Sequence, residues 1–202
     1  MLVPLGAEMS TNIRVGQFLG AGSAEGPKSV ISVALVSVWV LTSMFATGVI
    51  LLRWQLPKAF TSDSAVIELA ANLVPIIAVL QIFEATSSVC MGAIRGAGLQ
   101  FIGAVTCFCC QYLLGASTAV LLVFRAISGV KGFWIGITVG FLSQAIVGCA
   151  ICSCIDWKKQ VELARKRTKD GCMAIPDENT VNGYSSANSI MDRYNESKLF
   201  RL

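Results

Sequence analysis

The sequence predicts an all-α integral membrane protein with four membrane-spanning helices. Of its 202 residues, 54% are hydrophobic and only 14% are charged, and the mean hydropathy is +0.68. Soluble domains usually contain about 25% charged residues. The charges are also unevenly placed, because they separate four long apolar runs. We therefore expect four apolar helices that lie in lipid.

The first two apolar runs have the length of a membrane span. Residues 29–52 carry no charge and lie between Lys28 and Arg53. At about 1.5 Å per helical residue, such a run can cross a hydrocarbon core of about 30 Å. Residues 69–94 form the second run, which is interrupted by a single charge at Glu84.

The third and fourth runs are residues 96–124 and 132–155, and both are bordered by charged residues that resist entry into lipid. These borders are Arg95, Arg125, Lys131 and Asp156. Tryptophan favours the headgroup region of a bilayer, and three of the four tryptophans fall at run ends. They are Trp54, Trp134 and Trp157. Their positions support the same boundaries independently.

Three parts follow from these boundaries. Residues 1–28 are expected to be the end of a truncated helix and a loop, residues 29–155 a four-helix membrane region, and residues 156–202 a cytosolic, largely disordered tail. The tail starts with the basic stretch WKKQVELARKRTK and continues with few large apolar residues, a composition typical of disorder. We expect no signal peptide, because Met1 is followed by neither a basic region nor a cleavage site.

The composition argues against several other classes of protein. The net charge is +4, but the basic residues lie at run edges and in the tail and form no stripe for nucleic acid. An enzyme is not expected, because the spans offer no His, no Ser-x-x-Lys pattern and no clustered carboxylates. We expect no cofactor.

The cysteines are predicted to be free thiols. Most of them lie inside long apolar runs, where a small side chain suits helix packing, among them Cys107, Cys109, Cys110, Cys149 and Cys152. The spacing of Cys149, Cys152 and Cys154 resembles part of a metal site, but the sequence contains no His and no closing set of ligands. No metal site is therefore predicted.

Spaced glycines in the last span indicate close helix packing. Gly132, Gly136 and Gly140 recur every four residues, so a neighbouring backbone can approach that face. Such glycines are far more often a helix contact than a ligand site. In the second span, Pro75 removes a backbone hydrogen-bond donor and predicts a kink.

Glu84 is the candidate functional residue, because an ionised carboxylate inside a span costs at least a few kcal/mol. One interpretation is structural: a protonated Glu84 that bonds its helical neighbours Gln81 and Ser88 or another helix. The other is functional: burial favours the protonated carboxyl, which can exchange its proton for a cation. Arg95 lies about 16 Å along the helix from Glu84, too far for a direct ion pair.

Several segments resemble the multidrug and toxin extrusion (MATE) family, in its animal branch. The segments are RVGQFLGAG at residues 14–22, QIFEA at 81–85, MGAIRGAG at 91–98, YLLG at 112–115, GFWIG at 132–136 and DWKK at 156–159. Their order and spacing match, and the resemblance covers roughly residues 10–160. Two positions depart from the family pattern: Gln17 replaces the usual Asn, and Ser117 replaces a frequent Pro, which is expected to straighten the third span.

The resemblance implies a secondary transporter with two six-helix lobes that exports organic cations or xenobiotics in exchange for protons. The four spans would be the last part of the C-terminal lobe of this twelve-helix fold, a C-terminal fragment that lacks the N-terminal helices. Glu84 would bind the proton and cation, with Gln81, Gln111 and Tyr112 as lining residues. The expected partners are organic cations, protons and the lipid bilayer of the plasma membrane.

One alternative from a different class remains open. The chain would then be a non-transporting truncated membrane protein or a scaffold whose glycine-lined helices pair with partners. This alternative predicts assembly without efflux, whereas a transporter predicts efflux that depends on a proton gradient.

The basic residues that follow the last span generate a topological prediction. They oppose translocation, so a tag at the C-terminus should be accessible from the cytosol. They are Lys158, Lys159, Arg165, Lys166, Arg167 and Lys169. The measurement is protease digestion of the tag in intact and in permeabilised cells. Digestion in intact cells would place the tail on the opposite side of the membrane.

Overall fold

The computed structural model describes residues 2–126 and 129–173, and helices make up nearly all of this part of the chain. The elements are α1 (Leu2–Gly20), α2 (Gly26–Leu51), α3 (Gln55–Lys58), α4 (Ser64–Gly96), α5 (Gln100–Phe108), the π-helical segment π1 (Cys109–Ala116), α6 (Ser117–Leu121), the π-helical segment π2 (Leu122–Ala126), α7 (Val130–Cys154) and α8 (Trp157–Met173). No strand occurs in the described ranges, which confirms the predicted all-α class.

Within the described residues, four helices are long and apolar enough to cross a membrane, as predicted. They are Gly26–Leu51, Ser64–Gly96, Gln100–Arg125 and Val130–Cys154. The second span, α4, begins at Ser64, earlier than the predicted residue 69, because the carboxylate of Asp63 caps it. Asp63 Oδ1 accepts a hydrogen bond of 2.9 Å from the backbone N–H of Ala65. Such a cap satisfies one of the free donors of the first turn.

The third span combines α-helical and π-helical turns. π1 and π2 lie on either side of the short helix α6, which begins at Ser117. A serine at this position restores the backbone donor that a proline removes, and it was expected to give a straighter helix. The span nevertheless contains two π-helical segments. Such segments are rare in proteins, and those that occur are often at functional sites.

Helix α4 is the centre of the first compact unit of the chain, Met1–Val161, and it packs against α1, α2 and α7. Ala85 and Val89 of α4 are fully buried and form a small core with Val38 of α2. Large apolar side chains are exposed on the outer surfaces of the helices, among them Met44, Phe101 and Phe124. An exposed apolar surface of this extent suits a bilayer.

Glycines allow the helices to approach closely. A Cβ atom at Gly92 of α4 would overlap the backbone carbonyl of Glu8 in α1, and a Cβ atom at Gly136 of α7 would overlap the backbone of Ala119 in α6. The four glycines of the α7 face are all buried: Gly132, Gly136, Gly140 and Gly148. The glycine face of α7 is therefore in contact with helices of this same chain.

The start of the tail is helical, although the sequence predicted a largely disordered segment from residue 156. Asp156 Oδ1 accepts hydrogen bonds from the backbone N–H groups of Lys158 (3.1 Å) and Lys159 (3.4 Å), which caps α8. The segment that follows is rich in Lys, Arg, Glu, Ala and Leu, which favour helices. Residues 174–202, the rest of the predicted tail, lie outside the described residues.

The glycine contacts predict which small substitutions the membrane region tolerates. Gly136→Ala should lower the free energy of unfolding by about 1–3 kcal/mol, because the new methyl group overlaps the backbone of Ala119. Gly48→Ala is the matched control, since nothing lies within 4 Å of a Cβ atom there. Thermal unfolding of the purified chain in detergent is the measurement. Equal losses for the two variants would contradict the assigned packing.

Candidate functional site

Glu84 lies in the second half of α4 and is 8% exposed. Its backbone carbonyl accepts a hydrogen bond of 2.9 Å from Ser87 Oγ. Its carboxylate, however, forms no hydrogen bond or ion pair with any residue in the ranges 2–126 and 129–173. Burial of an unpartnered ionised carboxylate costs several kcal/mol. The part of the chain that the structure describes thus holds a buried acid group that is available for another partner.

The cation nearest to Glu84 along α4 is engaged elsewhere. Arg95 forms an ion pair with Glu8 of α1, whose side chain is 16% exposed. This pair agrees with the prediction that Arg95 does not bond Glu84. Sequence reasoning did not identify Glu8, although an acidic residue in the apolar first helix was a visible signal. The two carboxylates therefore differ, because Glu8 is paired with Arg95, whereas no side chain in the described ranges pairs with Glu84.

The other predicted lining residues take different positions. Gln81 is half-buried one helical turn before Glu84. Gln111 in π1 lies against α7, since a Cβ atom at Gly140 would be 2.5 Å from Gln111 Oε1.

Tyr112 is 65% exposed, and its ring stacks on Phe108 with 5.4 Å between the ring centroids. No hydrogen bond or ring contact in the described part joins Tyr112 to Glu84. The structure thus brings Gln81 close to Glu84, and the lining roles of Gln81, Gln111 and Tyr112 stay predictions.

A polar link between α2 and α4 lies next to Glu84. The indole N–H of Trp39 donates a hydrogen bond of 2.9 Å to Thr86 Oγ1, and the Thr86 hydroxyl donates to the carbonyl of Ile82 at 2.8 Å. Hydrogen bonds between helices help to fix their relative position in lipid. Trp39 is the one tryptophan in mid-span, and this exception in the sequence was the signal for the link.

Gln144 of α7 is a second buried polar group without a partner. It is 5% exposed, and its Oε1 atom accepts no hydrogen bond from the described residues. The second and fourth spans, α4 and α7, run in the same direction, and Gly148 lies against Cys90. Gln144 is one turn before Gly148, so it lies at a depth similar to that of Glu84. A lone Gln in an apolar run was a signal that sequence reasoning missed.

These groups offer hydrogen bonding and charge. Within the described residues, no cluster of three or more His, Cys, Asp or Glu side chains is arranged to hold a metal ion. The arrangement instead places one unpaired carboxyl and one unpaired amide oxygen at similar depths in two packed spans. A carboxyl group in a membrane span can bind a proton or a cationic group that has left water.

Comparison with known proteins identifies the family. The MatE family model matches residues 1–121. The chain is 34% identical over 164 residues to Multidrug and toxin extrusion protein 1 of Oryctolagus cuniculus, and 36% identical over 163 residues to Protein DETOXIFICATION 14 of Arabidopsis thaliana. Each match covers 81% of this chain. The chain belongs to the MATE family.

Solved structures support the same assignment. The crystal structure of the eukaryotic MATE transporter AtDTX14 superimposes with a TM-score of 0.76 at 33% identity and covers 81% of this chain and 37% of that chain. A multidrug resistance MATE transporter in an inward-facing conformation, with a TM-score of 0.67 at 17% identity, shares the fold. The resemblance seen in the sequence is confirmed, and membership of a transporter family agrees with the expectation that the chain is not an enzyme.

The MATE relatives are much longer than this chain. It spans 29% of the length of the Oryctolagus cuniculus protein and 33% of the Arabidopsis thaliana protein. The family, the helical fold and the membrane setting apply to this chain directly.

The different environments of the two carboxylates predict different couplings to Arg95. In double-mutant cycles of unfolding stability, Glu8→Gln and Arg95→Gln should couple by roughly 0.5–1 kcal/mol, a modest value because Arg95 is half-exposed. The cycle of Glu84→Gln with Arg95→Gln is the matched control and should give a coupling close to zero. A larger coupling to Glu84 than to Glu8 would refute the assigned ion pair.

Proposed function

We propose that this chain forms part of a secondary active transporter that exports organic cations and xenobiotics in exchange for protons. The observation that supports the proposal most is the carboxyl group of Glu84, which is buried in a membrane span without a partner in the described residues. An ionisable residue in a membrane span is expensive and is by default a functional residue. Membership of the MATE family is the second support.

A single carboxyl group can couple two fluxes. When Glu84 is protonated, it is neutral and has no electrostatic attraction for a cation. When it releases the proton, the carboxylate compensates the charge of a cation that has left water. Proton and cation therefore compete for one group, and the gradient of one can drive the export of the other.

The substrate needs contacts with other side chains besides the single carboxylate. We propose that Gln81, Gln111 and Tyr112 line its path, and that Gln144 also supplies its unpaired amide oxygen. One face of the Tyr112 ring stacks on Phe108, and the ring is otherwise exposed on the helix surface, where an organic cation can contact its other π face. Amide oxygens and an aromatic π face both attract positive charge, which suits a cationic substrate.

Transport requires helices beyond those of this chain. Alternating access in transporters rocks one bundle against another around a site between them, and the chain spans about a third of its relatives. In this proposal, the missing N-terminal helices form the facing bundle. We further propose that the transporter lies in the plasma membrane with the tail in the cytosol, as the basic residues that follow α7 favour.

The alternative of a helix-pairing scaffold has less support. It assigns the glycine faces to contacts with partner proteins. The α7 glycines are buried against helices of this chain, and Gly92 of α4 lies against Glu8 of α1. The glycine faces of α7 and α4 are therefore already packed against other helices of this chain. A transporter remains the function that the site favours.

The proposal predicts the effect of neutralising Glu84 in a complete transporter. We consider a chimera in which this chain replaces the matching segment of the Oryctolagus cuniculus protein. Glu84→Gln keeps the size and a hydrogen bond but releases no proton, so proton-driven cation exchange should fall at least tenfold. Glu84→Asp should keep part of the activity with a shifted pH profile, because the acid remains and its reach is shorter by one methylene.

The assay is efflux of a cationic dye from vesicles with an imposed proton gradient. Glu68→Gln is the matched control, because Glu68 is an exposed acid on the same helix. Expression and folding of each chimera are checked by surface labelling and by size-exclusion chromatography. Normal exchange by a well-folded Glu84→Gln chimera would return Glu84 to a structural role.

A further inference from the structure

Two thiols meet where α4 packs against α7. Cys90 Sγ and Cys149 Sγ are 3.5 Å apart, and the Sγ atom of Cys152 lies 3.7 Å from the backbone carbonyl oxygen of Cys90. The helices are close at this point, because a Cβ atom at Gly148 would be 2.9 Å from Cys90 Cβ. No side chain therefore separates the sulfur atoms of Cys90 and Cys149.

A cavity borders this pair at the end of the spans where charged border residues lie. Its volume is about 250 Å³, and Cys90, Cys149 and Cys152 line it together with Lys28 and Trp157. Lys28 lies in the first turn of α2 and Trp157 at the start of α8, positions that mark the boundary between membrane and water. Since a water molecule occupies about 30 Å³ in the liquid, the cavity has room for small polar molecules.

The two cysteines differ in access from the cavity. Cys90 is 1% exposed, whereas Cys149 is half-buried. Both thiols line the cavity, and Cys149 is the more exposed of the two. In the oxidation of such pairs, an accessible thiol reacts first and a second thiol resolves the product.

We propose that Cys90 and Cys149 form a modification site at which hydrogen peroxide converts two thiols into a disulfide. The sulfur of Cys149 attacks one peroxide oxygen, so an S–O bond forms, the O–O bond breaks and one water leaves. The sulfur of Cys90 then attacks the sulfenic sulfur, so the S–S bond forms, the S–O bond breaks and a second water leaves. The two thiols lose two electrons and two protons, and one peroxide is reduced to two waters.

The modification requires little movement and has a defined mechanical result. The sulfur atoms must approach from 3.5 Å to a bond length of about 2.05 Å, which side-chain rotation and a small helix shift can supply. The bond then fixes α4, which also carries Glu84, to α7. This inference concerns the chain itself and does not depend on the proposed transport function.

The experiment uses the full 202-residue chain in membranes that contain it. After treatment with hydrogen peroxide and blocking of free thiols, the chain is digested with trypsin and analysed by mass spectrometry without reduction. We expect the disulfide-linked peptide of Cys90 and Cys149 to increase at least tenfold and to disappear after reduction. Fragmentation of the linked peptide identifies the joined cysteines in the wild-type chain, so the result does not depend on how a variant folds.

Matched variants sharpen the result. Cys90→Ser and Cys149→Ser should abolish the linked peptide, whereas Cys154→Ser, which changes an exposed thiol on the same helix, should leave it unchanged. The proposal is overturned if peroxide produces no linked peptide. It is also overturned if Cys90 is joined to Cys152 or Cys154, or if the link persists in Cys149→Ser.

Discussion

Close packing of α4 against its neighbours determines the rest of this structure. Lipid surrounds apolar side chains as well as a protein interior does, so helices in a membrane associate through tight backbone contact and polar links. Gly92 provides this contact with α1, and Gly148 of α7 provides it with Cys90 of α4. The ion pair between Glu8 and Arg95 and the hydrogen bond from Trp39 to Thr86 then fix the register of the same helix.

This packing explains how α4 can carry a buried acid. The ion pair of α4 joins it to another helix, because Arg95 is paired with Glu8 of α1. Glu84 therefore remains buried among helices without a neutralising partner in the described residues. A group of this kind lowers the stability of the bundle, and the loss is reasonable where the group must exchange ligands.

The spans were predictable from the sequence because the cost of placing charge in lipid is large and local. Each charged border residue, such as Lys28 or Arg125, can be identified in the sequence without knowledge of the fold. The caps at Asp63 and Asp156 were missed, since a side-chain oxygen that bonds a backbone N–H depends on local geometry. The candidate site was only partly predictable: Glu84 stands out as a charge in an apolar run, whereas the partner of Arg95 depends on how α1 packs.

The dependence of contacts on helix packing also explains why Gln144 and the thiol pair were not predicted. Polar residues at positions 84 and 144 are 60 positions apart in the chain, and their similar depth follows only from the parallel course of α4 and α7. Cys90 and Cys149 are likewise brought together by Gly148, whose missing side chain lets the two backbones approach. The contact that builds the bundle thus also brings the two thiols together, because Gly148 leaves no side chain between them.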